Sequence, residues 1–336
     1  MRYIKFTVLF VLICFFVADK GFAQVKEEKE EKFLRMERLR VKPAKLKWSV
    51  NAGLFAGYDS NVNLSPKSKG DIFEETLLSA NIEKPWIKES KFTFNYDFAY
   101  LNFNEVTNAS NFLNHFRLAA HKKISFLTFG TGYDLDILAY PHDDNIDENG
   151  DFAFHKFFLY TKHNITKRIY QQLFLEYGLK DYFNRKALGD TINTYQDKER
   201  LDRRQTVEYS IAAPVMPKVL LRIKGKYALN KSNARYVNYY DYESYTGSSS
   251  VDIRLNKKLL FYTNFGYTRK VYLDRIVFNE NYKEKDKFYY AYAEMRYLLK
   301  KNNTIVLSYT YRNNASNEPL EKFNENVCSL GWQYSF

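Results

Sequence analysis

Cysteine is almost absent from this 336-residue chain, which has two, and proline and glycine are sparse at seven and thirteen. Cys14 lies in an apolar leader and leaves with it, so only Cys328 remains and an intramolecular disulfide framework is excluded. Beyond residue 18 there is no apolar run of about 20 residues, which excludes a bundle of membrane helices. Missing too are a G-x-S-x-G elbow, a Gly-Lys-Ser/Thr phosphate loop, a paired-cysteine metal motif and any internal repeat. A secreted chain without disulfides needs another source of stability, and a closed barrel supplies one by pairing every backbone polar group between strands.

The leader is legible at residues 1–23. Arg2 and Lys5 form a positive start, residues 6–18 are apolar, and Gly21-Phe22-Ala23 supplies small residues ahead of a cut between Ala23 and Gln24. Residues 24–44 form a charged, mixed-sign extension in which Phe33, Met36 and Leu39 recur at near-helical spacing before Pro43. Two readings stay open there: a flexible periplasmic tail, or a plug or docking helix.

What the chain does have is aromatic residues, 18% of the total, with 29 tyrosines and 28 phenylalanines. From residue 45 onward they alternate with polar residues. Phe92, Phe94, Tyr96, Phe98 and Tyr100 share one strand face, with Thr93, Asn95, Asp97 and Ala99 on the other. The same period of two recurs near 206–213, 219–229, 245–255 and 304–312. Charges at every second position exclude a strand buried on both faces. The pattern fits an all-β transmembrane antiparallel up-and-down barrel over 45–336, with aromatic girdles facing lipid and a polar lumen.

Fourteen strands are expected. Short turns near 87–90, 122–125, 166–167, 215–217, 256–257 and 300–302 alternate with mostly longer polar loops at 60–71, 141–151, 184–203, 271–286 and 314–324. Connection 105–109 is the short exception. An even count places both termini in the periplasm.

The formal net charge is +12, with basic residues scattered rather than gathered in one block, so nucleic acid is not an expected partner. On the inward face the alternation places Arg222, Lys224, Lys226, Arg254, Arg296 and Arg312, opposed by Asp97, Asp134, Asp136, Glu176, Glu208, Asp252 and Glu294. Such residues tune the passage of ions, or they knit a closed interior through cross-strand pairs. His115 and His121, with Arg117 between them, form either a lumen metal or anion site or a plain polar wall. The acidic loop around His142, Asp143, Asp144, Asp147, Glu148 and Asp151 lacks the spacing of a calcium loop. No cofactor and no catalytic group are expected.

Two segments carry resemblances. The chain ends with Leu330, Trp332, Tyr334 and Phe336 on one face, which resembles the C-terminal recognition strand of Gram-negative outer-membrane proteins. This implies insertion into the outer membrane by the barrel assembly machinery. Gly57-Tyr58-Asp59-Ser60-Asn61-Val62-Asn63-Leu64-Ser65-Pro66 resembles the segment ending the first barrel strand of surface lipoprotein assembly modifier proteins. That resemblance implies a C-terminal fourteen-strand barrel that helps lipoproteins reach the surface. Those proteins also carry a tetratricopeptide domain, for which residues 24–44 are too short. The functional expectation is a porin-like channel for ions or small solutes. The alternative is a surface-assembly or export factor for lipoproteins or polysaccharide, and an outer-membrane enzyme ranks last.

Overall fold

Long runs of period-two alternation make this chain an antiparallel sheet that closes on itself. The computed structural model describes residues 46–336 apart from 87–88, 142–149, 167 and 192–193. The expected leader, its cut at Ala23–Gln24, the 24–44 extension and most of the acidic loop lie outside the described residues.

Fourteen strands follow in order. They are β1 (Lys47–Asp59), β2 (Asp71–Pro85), β3 (Ser90–Phe103), β4 (Asn111–Ile124), β5 (Leu127–Ala139), β6 (Phe152–Asn164) and β7 (Tyr170–Leu188). The second half holds β8 (Tyr195–Met216), β9 (Val219–Ser232), β10 (Tyr242–Arg254), β11 (Leu259–Ile276), β12 (Lys283–Lys300), β13 (Asn303–Asn314) and β14 (Phe323–Ser335). Each pairs antiparallel with its chain neighbours, and β1 closes on β14 in a register running from Asn51↔Ser335 to Asp59↔Val327. No sheet edge is left unpaired in the ring.

Side-chain direction follows the alternation. Leu54, Phe94, Leu118, Leu173, Ile223, Phe265, Met295 and Leu307 are exposed on the outer face although they are large and apolar. A soluble protein would hide such a band, and lipid covers it in a bilayer. Tyrosines border the band. On β12, Tyr289 and Tyr297 bracket Ala291, Ala293 and Met295. Eight residues at about 3.4 Å each span about 27 Å of strand, which matches a tilted crossing of the hydrocarbon.

The inner wall solves a different packing problem: large rings must lie flat. Phe158 stands opposite Gly132, and a Cβ there would sit 2.5 Å from the ring and 2.3 Å from the Leu118 carbonyl oxygen. Tyr160 covers Gly130, Phe73 covers Gly57, Phe55 covers Gly331 and Tyr290 covers Gly266 in the same way. Inward glycines thus let rings fold against the wall instead of projecting across the lumen.

Two expected loops are largely strand. β7 and β8 extend to Leu188 and from Tyr195, and β11 and β12 reach Ile276 and start at Lys283, where loops over 184–203 and 271–286 were expected. These hairpins rise above the lipid-facing band, where no lipid enforces an apolar outer face, and the alternation breaks down. Register shifts between Asp181 and Leu188, and between Val271 and Ile276, break the pattern further. The short connection 105–109 holds a 3-10 turn at Thr107–Ala109, and Asp71 anchors it by accepting from the N–H groups of Glu105 at 2.7 Å and Val106 at 2.8 Å.

Candidate functional site

The register places Arg222, Lys224, Lys226, Arg254, Arg296 and Arg312 on the inner face of β9, β10, β12 and β13. Asp97, Asp134, Asp136, Glu176, Glu208, Asp252 and Glu294 face inward from β3, β5, β7, β8, β10 and β12. These residues do not form one cluster. Arg222, Arg254, Asp252, Glu294 and Arg296 gather at the periplasmic end, the last four lining a cavity of about 980 Å³ with Tyr262 and Tyr292. Arg222 pairs with Asp252 at 2.7 Å, Arg296 with Glu294 at 2.5 Å, and the Tyr292 hydroxyl donates to Glu294 at 2.7 Å.

Asp97 lies away from that group, beside a smaller cavity of about 270 Å³ with Asn51, Ser79, His115 and Gln333. Arg312 holds the buried Glu325 across the β13–β14 pair. His115 and His121 take separate partners. His115 Nδ1 meets Asp136 at 2.5 Å, whereas His121 bridges Thr93, at 3.0 Å, and Tyr160. Arg117 lies over Phe158 and pairs with Asp134 at 3.4 Å. Among the described residues no cluster of three or more metal-ligating side chains forms.

The densest charged site is at the other end of the lumen. There, rings and cations alternate around the wall in two tiers. In one, Lys180 lies 3.7 Å from the Phe152 ring and 4.6 Å from Tyr182, and Arg200 lies 4.6 Å from Tyr182 and 3.4 Å from Tyr240. In the other, Arg204 lies 5.3 Å from Phe154 and donates to the Tyr242 hydroxyl at 2.6 Å. Lys270 follows, 4.4 Å from Tyr242 and 4.1 Å from Tyr272, and then Arg275, 4.9 Å from Tyr272 and 4.6 Å from Tyr239. Each such contact is worth about 0.5–2 kcal/mol, depending on its desolvation.

The rings matter because they hold cations without neutralising them. Arg200 is neutralised, through two hydrogen bonds to Asp202 at 3.0 and 2.6 Å. Arg275 meets Glu284 at 2.7 Å and Glu321 at 2.8 Å. Lys180, Arg204 and Lys226, on adjacent strands, have no carboxylate within ion-pairing distance among the described residues. Arg204 stands within Coulombic reach of both lysines. Across the ring from β9 and β10, the inward Glu75 on β2 and Asp97 on β3 likewise lack an ion pair. On the β7–β9 wall the inward Glu176, which also makes no ion pair among the described residues, stands within Coulombic reach of Arg204 and Lys226. At the rim, burial pushes the Asp241 carboxyl above its usual range, against the Ser232 N–H that donates to it at 2.7 Å.

No protein-family model matches the chain, and no curated protein matches it. Solved structures do match in fold. An anion-selective porin from Comamonas acidovorans is 7% identical, with 87% of this chain and 99% of that one covered and a TM-score of 0.52. OmpT, an outer membrane protein of Vibrio cholerae folded in vitro in its trimer form, is 9% identical, with 87% and 100% covered and a TM-score of 0.51. The chain has the fold of the outer-membrane β-barrels. The exposed apolar band and its tyrosine borders belong to that membrane. Leu330, Trp332 and Phe336 of the expected assembly strand are exposed on the outer face of the barrel, and Tyr334 shares their face of β14.

The decapeptide at 57–66 has a structural account in this barrel. Asp59 accepts from the Asn61 N–H at 2.8 Å, and Ser60 N donates to the Asn326 carbonyl at 2.9 Å. Together they tie the loop after β1 to β14 at the closing seam.

Proposed function

We propose that this barrel is a porin-like channel for ions and small solutes, with a wall that attracts anions. One observation carries the reading. Among the described residues, ion pairs join groups on one strand or on adjacent strands, except Arg275 with Glu321 at the rim. Charges are thus paired along the wall and not across the lumen, and the inward rings lie flat over glycine. Polar inward residues of this kind set ion preference in barrels. Among the described residues Lys180, Arg204 and Lys226 on β7, β8 and β9 make no ion pair and outnumber the unpaired Glu176 beside them, which gives the β7–β9 wall its attraction for anions. In this proposal the barrel is a conduit and not an enzyme.

Single-channel conductance of the purified protein in a planar bilayer tests this. Steady discrete openings with a reversal potential favouring anions are expected. A folded, heat-modifiable barrel that stays silent would overturn the proposal. The second reading, surface assembly of lipoproteins or export of polysaccharide, is favoured by the 57–66 segment alone. It predicts that deletion strips cargo from the cell surface while permeability is unchanged.

A further inference from the structure

We propose that the outward face of β11 and β12 is a docking site for a phosphate-bearing lipid of the outer leaflet, built by Arg269, Lys285 and Lys287. Residues 267, 269 and 271 share one face of β11, and 285, 287 and 289 share the matching face of β12. The register sets Tyr267 opposite Tyr289, Arg269 opposite Lys287, and Val271 opposite Lys285. The two tyrosines are exposed, with ring centroids 5.0 Å apart, and belong to the upper aromatic border. One step beyond them, about 7 Å along the strands, come two cations, and a further step brings the third. Side chains just past the aromatic border stand at the level of lipid headgroups.

The charge there is only partly offset. All three cations are exposed, and among the described residues none has an ion pair. Most nearby carboxylates are engaged elsewhere. Asp286 and Glu284 point to the inner face, toward Lys270 and Arg275. Asp274 pairs with Lys283. Glu243, on the outward face of β10 beside the Tyr245 that stands opposite Arg269, accepts from the Tyr245 hydroxyl at 2.8 Å and offsets one of the three charges. Like charges directly opposite each other on paired strands destabilise a sheet. Arg269 and Lys287 are such a pair, with backbones about 5 Å apart, and an anion between them relieves that cost. An arginine fork beside a lysine suits a phosphate, and the third cation reaches further out along the same headgroup. The tyrosine pair below offers an apolar face to the acyl chains. The site is on the extracellular half, because the short turns, the start of β1 and the end of β14 occupy the opposite end.

The test is native mass spectrometry of the full chain in neutral detergent, titrated with bisphosphorylated lipid A and with its dephosphorylated form. Wild type is expected to bind the phosphorylated lipid, and R269S/K285S/K287S to lose about ten-fold or more in affinity. K285R/K287R should retain binding. K300S/K301S, which removes exposed cations at the periplasmic end, should match wild type. Heat-modifiable migration shows that each variant is folded. The proposal is overturned if the triple variant binds as tightly as wild type, or if the dephosphorylated lipid binds equally well. It is also overturned if inorganic phosphate at the same molar excess displaces the lipid, since the patch would then hold free anions.

Discussion

Asn61 donates from its side-chain nitrogen to the main-chain carbonyl of Asn324 at 3.1 Å, joining the loop after β1 to the start of β14. The same nitrogen donates to the Ser65 carbonyl at 2.9 Å, and the Asn61 side-chain oxygen accepts from the Ser65 N–H at 3.2 Å. At 1% exposure, none of these groups can turn to water if a partner is removed. Asn61→Ala should therefore cost about 1–3 kcal/mol. A lower midpoint in denaturant unfolding from detergent checks this, and an unchanged midpoint would mean that Asn61 does not hold the seam.

The inward and outward glycines make opposite predictions. A Cβ at Gly57 would lie 2.4 Å from both the Cys328 carbonyl oxygen and the Phe73 ring, and the backbone oxygen cannot yield. Gly57→Ala should destabilise by about 1–3 kcal/mol through overpacking. Gly225 faces outward with nothing within 4 Å of its missing Cβ. Gly225→Ala should be neutral or gain about 0.5 kcal/mol by narrowing the unfolded ensemble. The comparison is made in one denaturant series.

Much of this fold is legible in sequence because a barrel in lipid enforces alternation, as on β3 from Phe92 to Tyr100. Legibility ends where the bilayer ends. Arg200 falls in a stretch read as a loop, because above the membrane both faces of β8 meet polar surroundings. The ring–cation tiers are also invisible in sequence. Phe152 and Phe154 point inward, against the rule of aromatics outward, and the inward glycines that make room for such rings are recognised only once the register is known. Lys226 could be assigned to the lumen from its own strand. Its grouping with Arg204 and Lys180 depends on pairing among β7, β8 and β9.

At the C-terminus, Phe336 is 64% exposed and its ring lies 4.7 Å from Tyr334. It contributes little packing to the finished barrel, and we propose that its value lies in assembly. Phe336→Ala should reduce the amount of folded protein in the outer membrane severalfold. The unfolding midpoint of the purified barrel should change by less than about 0.5 kcal/mol. A large loss of stability in vitro would assign Phe336 a structural role instead.

The Arg222–Asp252 pair near the periplasmic mouth has side chains 39% and 43% exposed, so breaking it should cost under about 1 kcal/mol. Its effect on permeation should be larger. Arg222→Gln removes a positive charge from the lumen and should shift the reversal potential toward cations. Asp252→Asn should shift it toward anions, and the double variant should return close to wild type. Equal values in all four proteins would show that this mouth does not filter ions.

Lys180, Arg204 and Lys226 should dominate selectivity because, among the described residues, they make no ion pair and outnumber the one unpaired carboxylate, Glu176, on their own wall. Replacing all three with glutamine leaves Arg200 and Arg275 in their ion pairs, so a change reports the ring-held cations specifically. The anion-to-cation permeability ratio should fall by about two- to five-fold at 0.1 M salt. The difference should shrink at 1 M, where screening contracts from about 10 Å to about 3 Å and the centre of the lumen no longer senses the wall. A ratio that falls equally at both salt concentrations would point to a change in lumen shape. A ratio that does not fall would mean that the carboxylates of β2 and β3, not the cations of β7–β9, set the selectivity.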